Sequence, residues 1–364
     1  MIRGKRIKAV MVEGLKKFQR HRCETNRRIF FTLMVLLCLT PCGCTVRRET
    51  VFTGRTMGTT YSIKLVTSYL QTISGLQDRI DKRLDDINRS MSIYRDDSEI
   101  SRFNHLTTAG ERFWVSDDFI RVMQMAQKIF LITNGAWDGT VKPLVDLWGF
   151  GSEGKRAVPP PAVVQQRLQA VGFDAIQVVE ERFLVKHNAA VSLDLGSIAK
   201  GYGVDQIAAL LRDSGIKNFM VEIGGEVCAA GLRKDGLAWR IGINTPRKDV
   251  PPDEVYKIVN LTDRALATSG DYRNFFEIAG RNYSHVIDPR SGYPVANGVV
   301  SASVLAAAAT FADGLATALM VMGPAEGIEL VNRLEGVECL IVEMQTDGTL
   351  IDHYSNAFPA ADRN

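Results

Sequence analysis

The segment Ser192–Asp205, which reads S-L-D-L-G-S-I-A-K-G-Y-G-V-D, constrains the fold more than any other part of the chain. Its apolar start predicts a strand over Val191–Leu195, and the glycine that follows predicts a turn into a helix ending near Arg212. Such a turn directs backbone N–H groups and the positive helix end at one point, which favours an anion. Lys200, in the first helical turn, is placed to reach the same anion. The alternative is an ordinary turn with a surface lysine, and the segment alone leaves both interpretations open.

Helical and strand-like patterns are mixed along the rest of the chain. Apolar residues at helical spacing predict a helix over Leu76–Met91, and Ser116 is placed to cap a second helix. We expect strands at 51–65, 175–179, 183–186, 219–229, 239–244, 255–261, 275–279, 283–287, 299–306 and 336–343, helices at 310–322 and 325–334, and a polar turn region at 91–104. Because strands and helices do not alternate regularly, the pattern indicates an α+β fold.

The first 44 residues have the composition of a targeting segment. Basic residues precede an apolar run, Ile29–Leu39, that is too short to span a membrane comfortably. The small Gly43 before Cys44 resembles a bacterial lipoprotein cleavage site, which predicts a lipid on Cys44, with Cys42 as a weaker candidate. The alternative is a retained signal anchor. We expect a lipid-anchored protein on the periplasmic side of a bacterial membrane.

The charge of the remaining chain argues against a nucleic-acid partner. Ten Lys/Arg and two Asp/Glu give residues 1–44 a charge of +8, so the formal net charge of +3 leaves −5 on the rest. A mildly acidic body lacks the basic surface that phosphate backbones require. Cys228 and Cys339 lie in apolar runs without metal-site spacing, so we expect buried free thiols.

Two oxygen donors lie one helical turn apart in the segment Thr310–Thr317. Asp313 and Thr317 are separated by four residues, so their side chains share one face of the predicted helix. A carboxylate and a hydroxyl, completed by a backbone carbonyl and phosphate oxygens, suit Mg²⁺. The alternative is structural, because Thr310 followed three residues later by an acid also has the spacing of a helix cap.

Polar runs at two predicted strand ends carry further candidates. They read T-S-G-D-Y-R-N from Thr268 and S-H-V-I-D-P-R-S-G-Y-P from Ser284. Such positions commonly hold ligands. His285, flanked by apolar residues, is either a general base or a core histidine with satisfied hydrogen bonds.

Taken together, eight motifs in this order resemble the ApbE family of bacterial FAD:protein FMN transferases. They are M-G-T at Met57, M-S-I-Y-R-D-D-S-E-I-S-R-F-N, D-G-T-V-K-P-L, D-L-G-S-I-A-K-G-Y-G-V-D, V-E-I-G-G-E-V, T-S-G-D-Y-R-N-F-F-E, H-V-I-D-P-R-S-G-Y-P and A-D-G-L-A-T-A-L. The resemblance spans roughly 51–342, and a lipoprotein leader like the one predicted at 1–44 is also found in the family that the motifs resemble. It implies one α+β domain over 45–364, with mixed and antiparallel strands, flanking helices and FAD in a cleft.

The resemblance also implies an activity and a set of site residues. The activity is Mg²⁺-dependent transfer of FMN from FAD to a Ser or Thr hydroxyl of a target protein, with release of AMP. The implied FAD contacts are Met57, Tyr94, Ala136, Trp137, Asp138, Lys200, His285 and Ile287. The implied Mg²⁺ ligands are the Ser197 carbonyl, Asp313 and Thr317, and the implied catalytic residues are His285, Lys200 and Asp313. Gly139 and Lys142 depart from the family pattern beside the Ala136–Asp138 loop.

Two other functions stay open at this stage. One is an FAD pyrophosphatase that gives FMN and AMP with water as the nucleophile. The other is a non-catalytic lipoprotein that binds FAD. For the transferase, the resemblance implies exported acceptor proteins with a D-x-[ST]-[GS]-A-[ST]-like segment, such as subunits of redox-driven ion pumps or flavin reductase domains.

Overall fold

The computed structural model describes residues 47–151, 154–271, 275–278 and 280–359. The predicted leader with Cys42 and Cys44 lies outside these residues, and so does Tyr272–Asn274 of the T-S-G-D-Y-R-N run. The helices of the described part are α1 Leu76–Met91, α2 Glu99–Asn104, α3 Asp117–Ile132, α4 Lys142–Leu147, α5 Pro161–Leu168, α6 Gly196–Asp213 and α7 Ala309–Asn332. Its strands are β1 Arg47–Thr56, β2 Thr59–Ser68, β3 Arg112–Trp114, β4 Ile176–Val179, β5 Phe183–Lys186, β6 Asn218–Ile223, β7 Glu226–Ala230, β8 Trp239–Asn244, β9 Val255–Leu261, β10 Arg264–Gly270, β11 Phe275–Ile278, β12 Arg281–Ser284, β13 Val299–Ala306, β14 Glu338–Met344 and β15 Leu350–Tyr354.

The centre of the fold is an eight-stranded sheet in the order β1-β2-β6-β7-β10-β13-β14-β15. Each neighbouring pair is antiparallel. Side chains alternate across it, as in β6, where Phe219, Val221 and Ile223 are buried beneath helix α6. The α+β class inferred from the sequence is therefore confirmed.

Both faces of the sheet are covered. Helices α6 and α7 lie on one face and share its apolar core with α1 and α3. The β8–β9 hairpin covers the other face through Trp239, Ile241 and Val259, which pack against Val227 and Leu340. Cys228 and Cys339 are buried free thiols, as expected. This arrangement fixes α6 and α7 on a rigid platform, and the residues that matter most for chemistry lie on these two helices.

The predicted strand at Val191–Leu195 is wrong. The segment has no regular secondary structure, and its polar backbone groups bond to other partners than a neighbouring strand. The Asn104 side chain accepts from the Leu193 N–H at 2.7 Å and donates to the Leu193 carbonyl at 2.8 Å, and the Asp194 N–H donates to the Gly139 carbonyl at 2.7 Å. The following helix, α6, begins at Gly196 as predicted and ends one residue beyond Arg212.

Other boundaries also differ from the sequence prediction. The predicted strand 283–287 is β12 Arg281–Ser284, so His285 follows the strand rather than lying within it. The polar region 91–104 ends in helix α2, which Ser98 caps by accepting from the Ser101 N–H at 3.1 Å. The predicted single strand 219–229 is the hairpin β6–β7, because Gly224 and Gly225 both adopt positive φ and close a two-residue turn. This hairpin places Glu226 beside α6, which is important for the site.

The long apolar helix α7 belongs to the core. It runs through the two predicted helices 310–322 and 325–334, with a kink at Gly323 and Pro324. Within the described residues it is the one helix long and apolar enough to cross a membrane, and 61% of its most apolar window is buried inside the protein. Burial against the sheet explains its composition.

Candidate active site

Helices α6 and α7 make backbone contact at Gly201. A Cβ at this position would lie 2.3 Å from the Ala309 carbonyl oxygen and 2.8 Å from the Asp313 Cβ, so the approach requires glycine. The Gly201 N–H donates to Asp313 Oδ2 at 2.9 Å. The predicted lysine-bearing helix and the predicted acid-bearing helix therefore meet directly, although 112 residues separate the two bonded groups.

Three charged side chains form a cluster at this contact. Lys200 Nζ lies 2.8 Å from Glu226 Oε1 and 3.6 Å from Asp313 Oδ1, and both carboxylate side chains are only 3% exposed. Burial acts to lower the pKa of Lys200, but Asp313 and Glu226 outweigh it and the pKa is raised. Burial and the nearby Asp313 raise the pKa of Glu226, whereas Lys200 lowers it, and the net direction is upward. Lys200 is thus a partly buried cation paired with two carboxylates.

The three predicted metal ligands lie on the two helices that meet at Gly201. Asp313 and Thr317 lie one turn apart on α7, and Thr317 Oγ1 is 2.9 Å from Ser269 Oγ. The carbonyl of Ser197 lies in the first turn of α6, where its usual helical donor would be the Gly201 N–H, which also donates to Asp313. All three candidate ligand atoms are oxygens. The Gly201 N–H donates to Asp313 Oδ2, so the other carboxylate oxygen, Oδ1, is not used in that hydrogen bond. This donor set fits Mg²⁺ shared with phosphate oxygens.

The alternative role of Thr310 as a capping-box residue with Asp313 is wrong. Asp205 of α6 caps α7 instead, because its carboxylate accepts from the Ala309 N–H at 2.9 Å and from the Thr310 N–H at 2.8 Å. Asp313 bonds to Gly201 of the neighbouring helix. The Asp313 carboxylate therefore lies at the contact between α6 and α7 and does not cap α7.

A cleft of about 410 Å³ opens beside Lys200, and Met57 and Tyr94 are among its lining residues. Met57 adopts φ 49° in the tight turn between β1 and β2, and its methyl group lies over Gly203 of α6, where a Cβ would be 2.9 Å away. Tyr94 is 77% exposed at the cleft, so its ring is accessible to a ligand there. Two of the predicted flavin contacts and Lys200 thus line one cleft.

The loop with Ala136, Trp137 and Asp138 lies against the start of α6. Trp137 is buried and its Nε1 donates to Ser197 Oγ at 2.9 Å. Asp138 accepts from the Thr140 N–H at 2.7 Å and from the Phe173 N–H at 3.1 Å. These side chains fix the loop, so a ligand at this loop would meet mainly backbone groups.

His285 and Ile287 are not among the residues that line the cleft beside Lys200. His285 is half-buried with its ring 6.3 Å from the ring of Phe150, and Ile287 is buried and bridged to Pro294. Met57, Tyr94 and Lys200 therefore share one cleft, and Lys200 also contacts Asp313. His285 directly follows Ser284, which donates to Asp271, two residues after the Thr317 partner Ser269.

Sequence reasoning named the motifs but missed two acids within them. Glu226 follows two glycines in V-E-I-G-G-E-V, and a hairpin at that Gly-Gly pair would have shown its placement. Asp271 lies two residues after Ser269, the partner of Thr317, and burial raises the pKa of Asp271 to about 6 although Ser284 donates to it. The sequence signal for Asp271 was an acid at the end of a polar strand, a position where functional acids often lie.

Comparison with known proteins gives consistent matches over nearly the whole described chain. A family model described as the ApbE family matches residues 57–341. The FAD:protein FMN transferase of Vibrio cholerae is 43% identical over 319 residues, covering 87% of this chain and 94% of that protein. The protein of the same name from Haemophilus influenzae is 37% identical over 333 residues, covering 90% and 95%.

Solved structures agree with these matches. The flavin transferase ApbE from Vibrio cholerae has a TM-score of 0.78 and 41% identity, covering 86% of this chain and 98% of that one. The apo form of the flavinyl transferase ApbE from Pseudomonas stutzeri has a TM-score of 0.78 and 36% identity, covering 86% and 96%. Sequence and fold are therefore similar over the same region.

Proposed function

The chain belongs to the ApbE family and is an FAD:protein FMN transferase, and we propose that it carries out this transfer with Mg²⁺ at Asp313. The observation that carries the proposal is the meeting of Asp313, Thr317 and the α6 N-terminal turn, with Lys200 Nζ 3.6 Å from Asp313 Oδ1. This is an oxygen-lined, cation-bearing corner beside an open cleft. Such a corner suits a pyrophosphate and its metal ion.

FAD binding is assigned to two regions that flank this corner. Met57 and Tyr94 are proposed to contact the flavin end, because they line the cleft and Tyr94 is exposed. Ala136–Asp138 and Ile287 are proposed to contact the rest of the nucleotide. The side chain of Asp138 is occupied by Thr140 and Phe173, so this loop is proposed to act through its backbone.

The metal ligands are the carboxylate of Asp313, the hydroxyl of Thr317 and the carbonyl of Ser197. When bound, Mg²⁺ supplies charge neutralisation on the phosphate oxygens and holds the nucleotide in place. Lys200 contributes a positive charge that Glu226 fixes in place at the edge of the cleft, where preorganised charge stabilises the phosphoryl oxygens. The Gly201 N–H donates to Asp313 Oδ2 and so orients the carboxylate.

The reaction joins an acceptor hydroxyl to the FMN-side phosphorus of FAD. A P–O bond forms to the Ser or Thr oxygen, the P–O bond to AMP breaks, and AMP leaves. Charge spreads over the phosphoryl oxygens during this exchange, so positioning and electrostatics are the main contributions of the protein. The hydroxyl proton passes to His285 or to Asp271, whose carboxylate has the pKa of about 6 that suits a general base.

The chain is further proposed to be a periplasmic lipoprotein anchored through Cys44. The basic stretch, the short apolar run and the Gly43-Cys44 pair support this proposal. Labelling of cells with radioactive palmitate should mark the protein and should not mark a Cys44→Ala variant. Equal labelling of both proteins would point to the retained signal anchor instead.

Acceptors are proposed to be exported proteins with a D-x-[ST]-[GS]-A-[ST]-like segment. The test combines the enzyme, FAD, MgCl₂ and an acceptor domain with this segment, followed by mass spectrometry of the acceptor and chromatography of AMP. We expect a mass gain equal to esterified FMN with matching AMP, and loss of both with EDTA. AMP and free FMN with an unmodified acceptor would favour the pyrophosphatase, and intact retained FAD would favour a binding protein.

A further inference from the structure

Glu226 has an unusual environment for a carboxylate. Its side chain is 3% exposed, Oε1 lies 2.8 Å from Lys200 Nζ, and Oε2 is buried without a hydrogen-bond partner among the described residues. Leaving a carboxyl oxygen buried and unpaired is costly for the fold. Stability alone does not explain a carboxyl group in this environment. The only close ionic partner of Glu226 in the described structure is Lys200.

The position of Lys200 creates a conflict at the metal site. Asp313 Oδ2 is held by the Gly201 N–H at 2.9 Å, which leaves Oδ1 as the oxygen available to a metal ion. Lys200 Nζ lies 3.6 Å from this same Oδ1. An ammonium that moved less than 1 Å closer would turn this longer ion pair into a direct hydrogen bond to Oδ1, and a metal ion would then have to displace it.

We propose that Glu226 is a positioning residue that holds the Lys200 ammonium away from Asp313 Oδ1 and so keeps that oxygen available to the metal ion. This inference rests on the proposed metal role of Asp313. The shorter contact of Lys200 is with Glu226, and the longer one is with Asp313. Glu226 thus lets one buried corner hold an ammonium for the pyrophosphate and a free carboxylate oxygen for the metal ion.

The β6–β7 hairpin makes Glu226 a rigid anchor. Glu226 is the first residue of β7, directly after the Gly224-Gly225 turn. Glu222 accepts from the Gly225 N–H at 2.9 Å and fixes that turn. Gly224 packs on the stem of Lys200, since a Cβ there would lie 3.2 Å from the Lys200 Cδ. The hairpin therefore confines both the head and the stem of Lys200.

The test measures metal binding by the purified full-length protein without turnover. Mn²⁺ replaces Mg²⁺ because it accepts the same oxygen ligands, and electron paramagnetic resonance reports free Mn²⁺ during a titration. We expect Glu226→Gln to weaken Mn²⁺ binding by about 10- to 100-fold, as is typical when a residue that orients a metal ligand is lost. Glu222→Gln is the matched control, because it neutralises an acid of the same hairpin while keeping an acceptor for Gly225. Its Mn²⁺ affinity should stay within about twofold of wild type.

A double-mutant cycle separates positioning from a general charge effect. Lys200→Met should strengthen Mn²⁺ binding at least about fivefold more in the Glu226→Gln background than in wild type, because only there does the ammonium occupy Asp313. If the two substitutions are additive within about twofold, Glu226 acts through its charge alone and the proposal is wrong. Unchanged affinity in Glu226→Gln would overturn it as well.

Two further variants distinguish a failure of the proposed metal site from a failure of the proposed role of Glu226. Loss of Mn²⁺ binding in Asp313→Ala verifies the metal site itself, and binding that survives this change would refute the proposed function together with the inference. Glu226→Asp keeps the charge with a shorter side chain and should give an intermediate loss of affinity. It serves as the second test if Glu226→Gln does not fold, as judged by circular dichroism, and wild-type affinity in Glu226→Asp would then contradict the proposal.

Discussion

Gly201→Ala should damage both the stability and the metal site, because it inserts a methyl group where two helices touch. The new Cβ would lie 2.3 Å from the Ala309 carbonyl oxygen and 2.8 Å from the Asp313 Cβ. Carbon–oxygen contacts normally need about 3.3 Å, so the helices must separate locally by about 1 Å. Neither obstacle is the flexible end of a side chain, so the strain cannot be relieved by a change of rotamer.

The expected loss of stability follows from three contributions. Overpacking costs about 1 to 3 kcal/mol. A shift of this size also breaks the bond from the Gly201 N–H to Asp313 Oδ2, and a hydrogen bond to a charged group contributes about 1.5 to 3 kcal/mol. Alanine is a better helix former than glycine by about 1 kcal/mol, which offsets part of this loss. We expect the free energy of unfolding to fall by about 2 to 5 kcal/mol.

Urea unfolding followed by circular dichroism measures the stability, and Mn²⁺ titration measures the site. Gly203→Ala is the matched control two residues further along α6, because its Cβ would meet only the ends of the Met57 and Ile223 side chains, at 2.9 and 3.2 Å. Those ends can move, so its stability should change by less than about 1 kcal/mol. A Gly201→Ala protein with wild-type stability and wild-type Mn²⁺ affinity would refute the reasoning that close helix contact builds the site.

Three other substitutions probe single contacts. Asp313→Asn should reduce FMN transfer more than about 100-fold at saturating MgCl₂, because a metal ligand matters more than the residues that orient it; a wild-type rate would exclude Asp313 as a ligand. Asp205→Ala removes the cap of α7 and should lower the free energy of unfolding, measured with urea, by about 1 to 2 kcal/mol. An unchanged free energy of unfolding would mean that another group caps the helix. Burial raises the pKa of Asp271 to about 6, so a base there loses its active, ionised form as the pH falls below 6. The kcat/KM of wild type should therefore decrease on the acidic side of pH 6, and this decrease should disappear in Asp271→Asn; if it remains unchanged, His285 or another group is the base.

The elements that could be predicted from the sequence are those with a strong local period. Helix α1 matches the predicted bounds Leu76–Met91, and Ser116 caps α3 by accepting from the Phe119 N–H. Both signals are local, because helical spacing and capping depend on residues three or four apart. The apolar Val191–Leu195 segment resembles a strand in sequence, but its actual partner, Asn104, is 89 residues from Leu193 in sequence.

The same distinction applies to the site. The placement of Asp313 and Thr317 on one helical face was predictable from their spacing of four residues. The pairing of Lys200 with Glu226 was not, because it depends on the β6–β7 turn and on how the sheet packs against α6. An apolar run predicts that a helix is buried, but its composition does not state which residue of another helix it touches. Contacts of this kind follow from tertiary packing alone.

The spacing K-G-x-x-x-D in α6 follows from this packing. Gly201 and Asp205 are one turn apart on one face of α6, and both bind α7, the first through its N–H to Asp313 and the second by capping Ala309 and Thr310. Lys200 therefore projects beside a contact that is fixed at two points, and its ammonium is placed relative to Asp313 by helix geometry rather than by a mobile loop. A chain that kept Lys200 and Asp313 but lost the glycine or the capping acid would retain the charged groups of the site and lose their alignment.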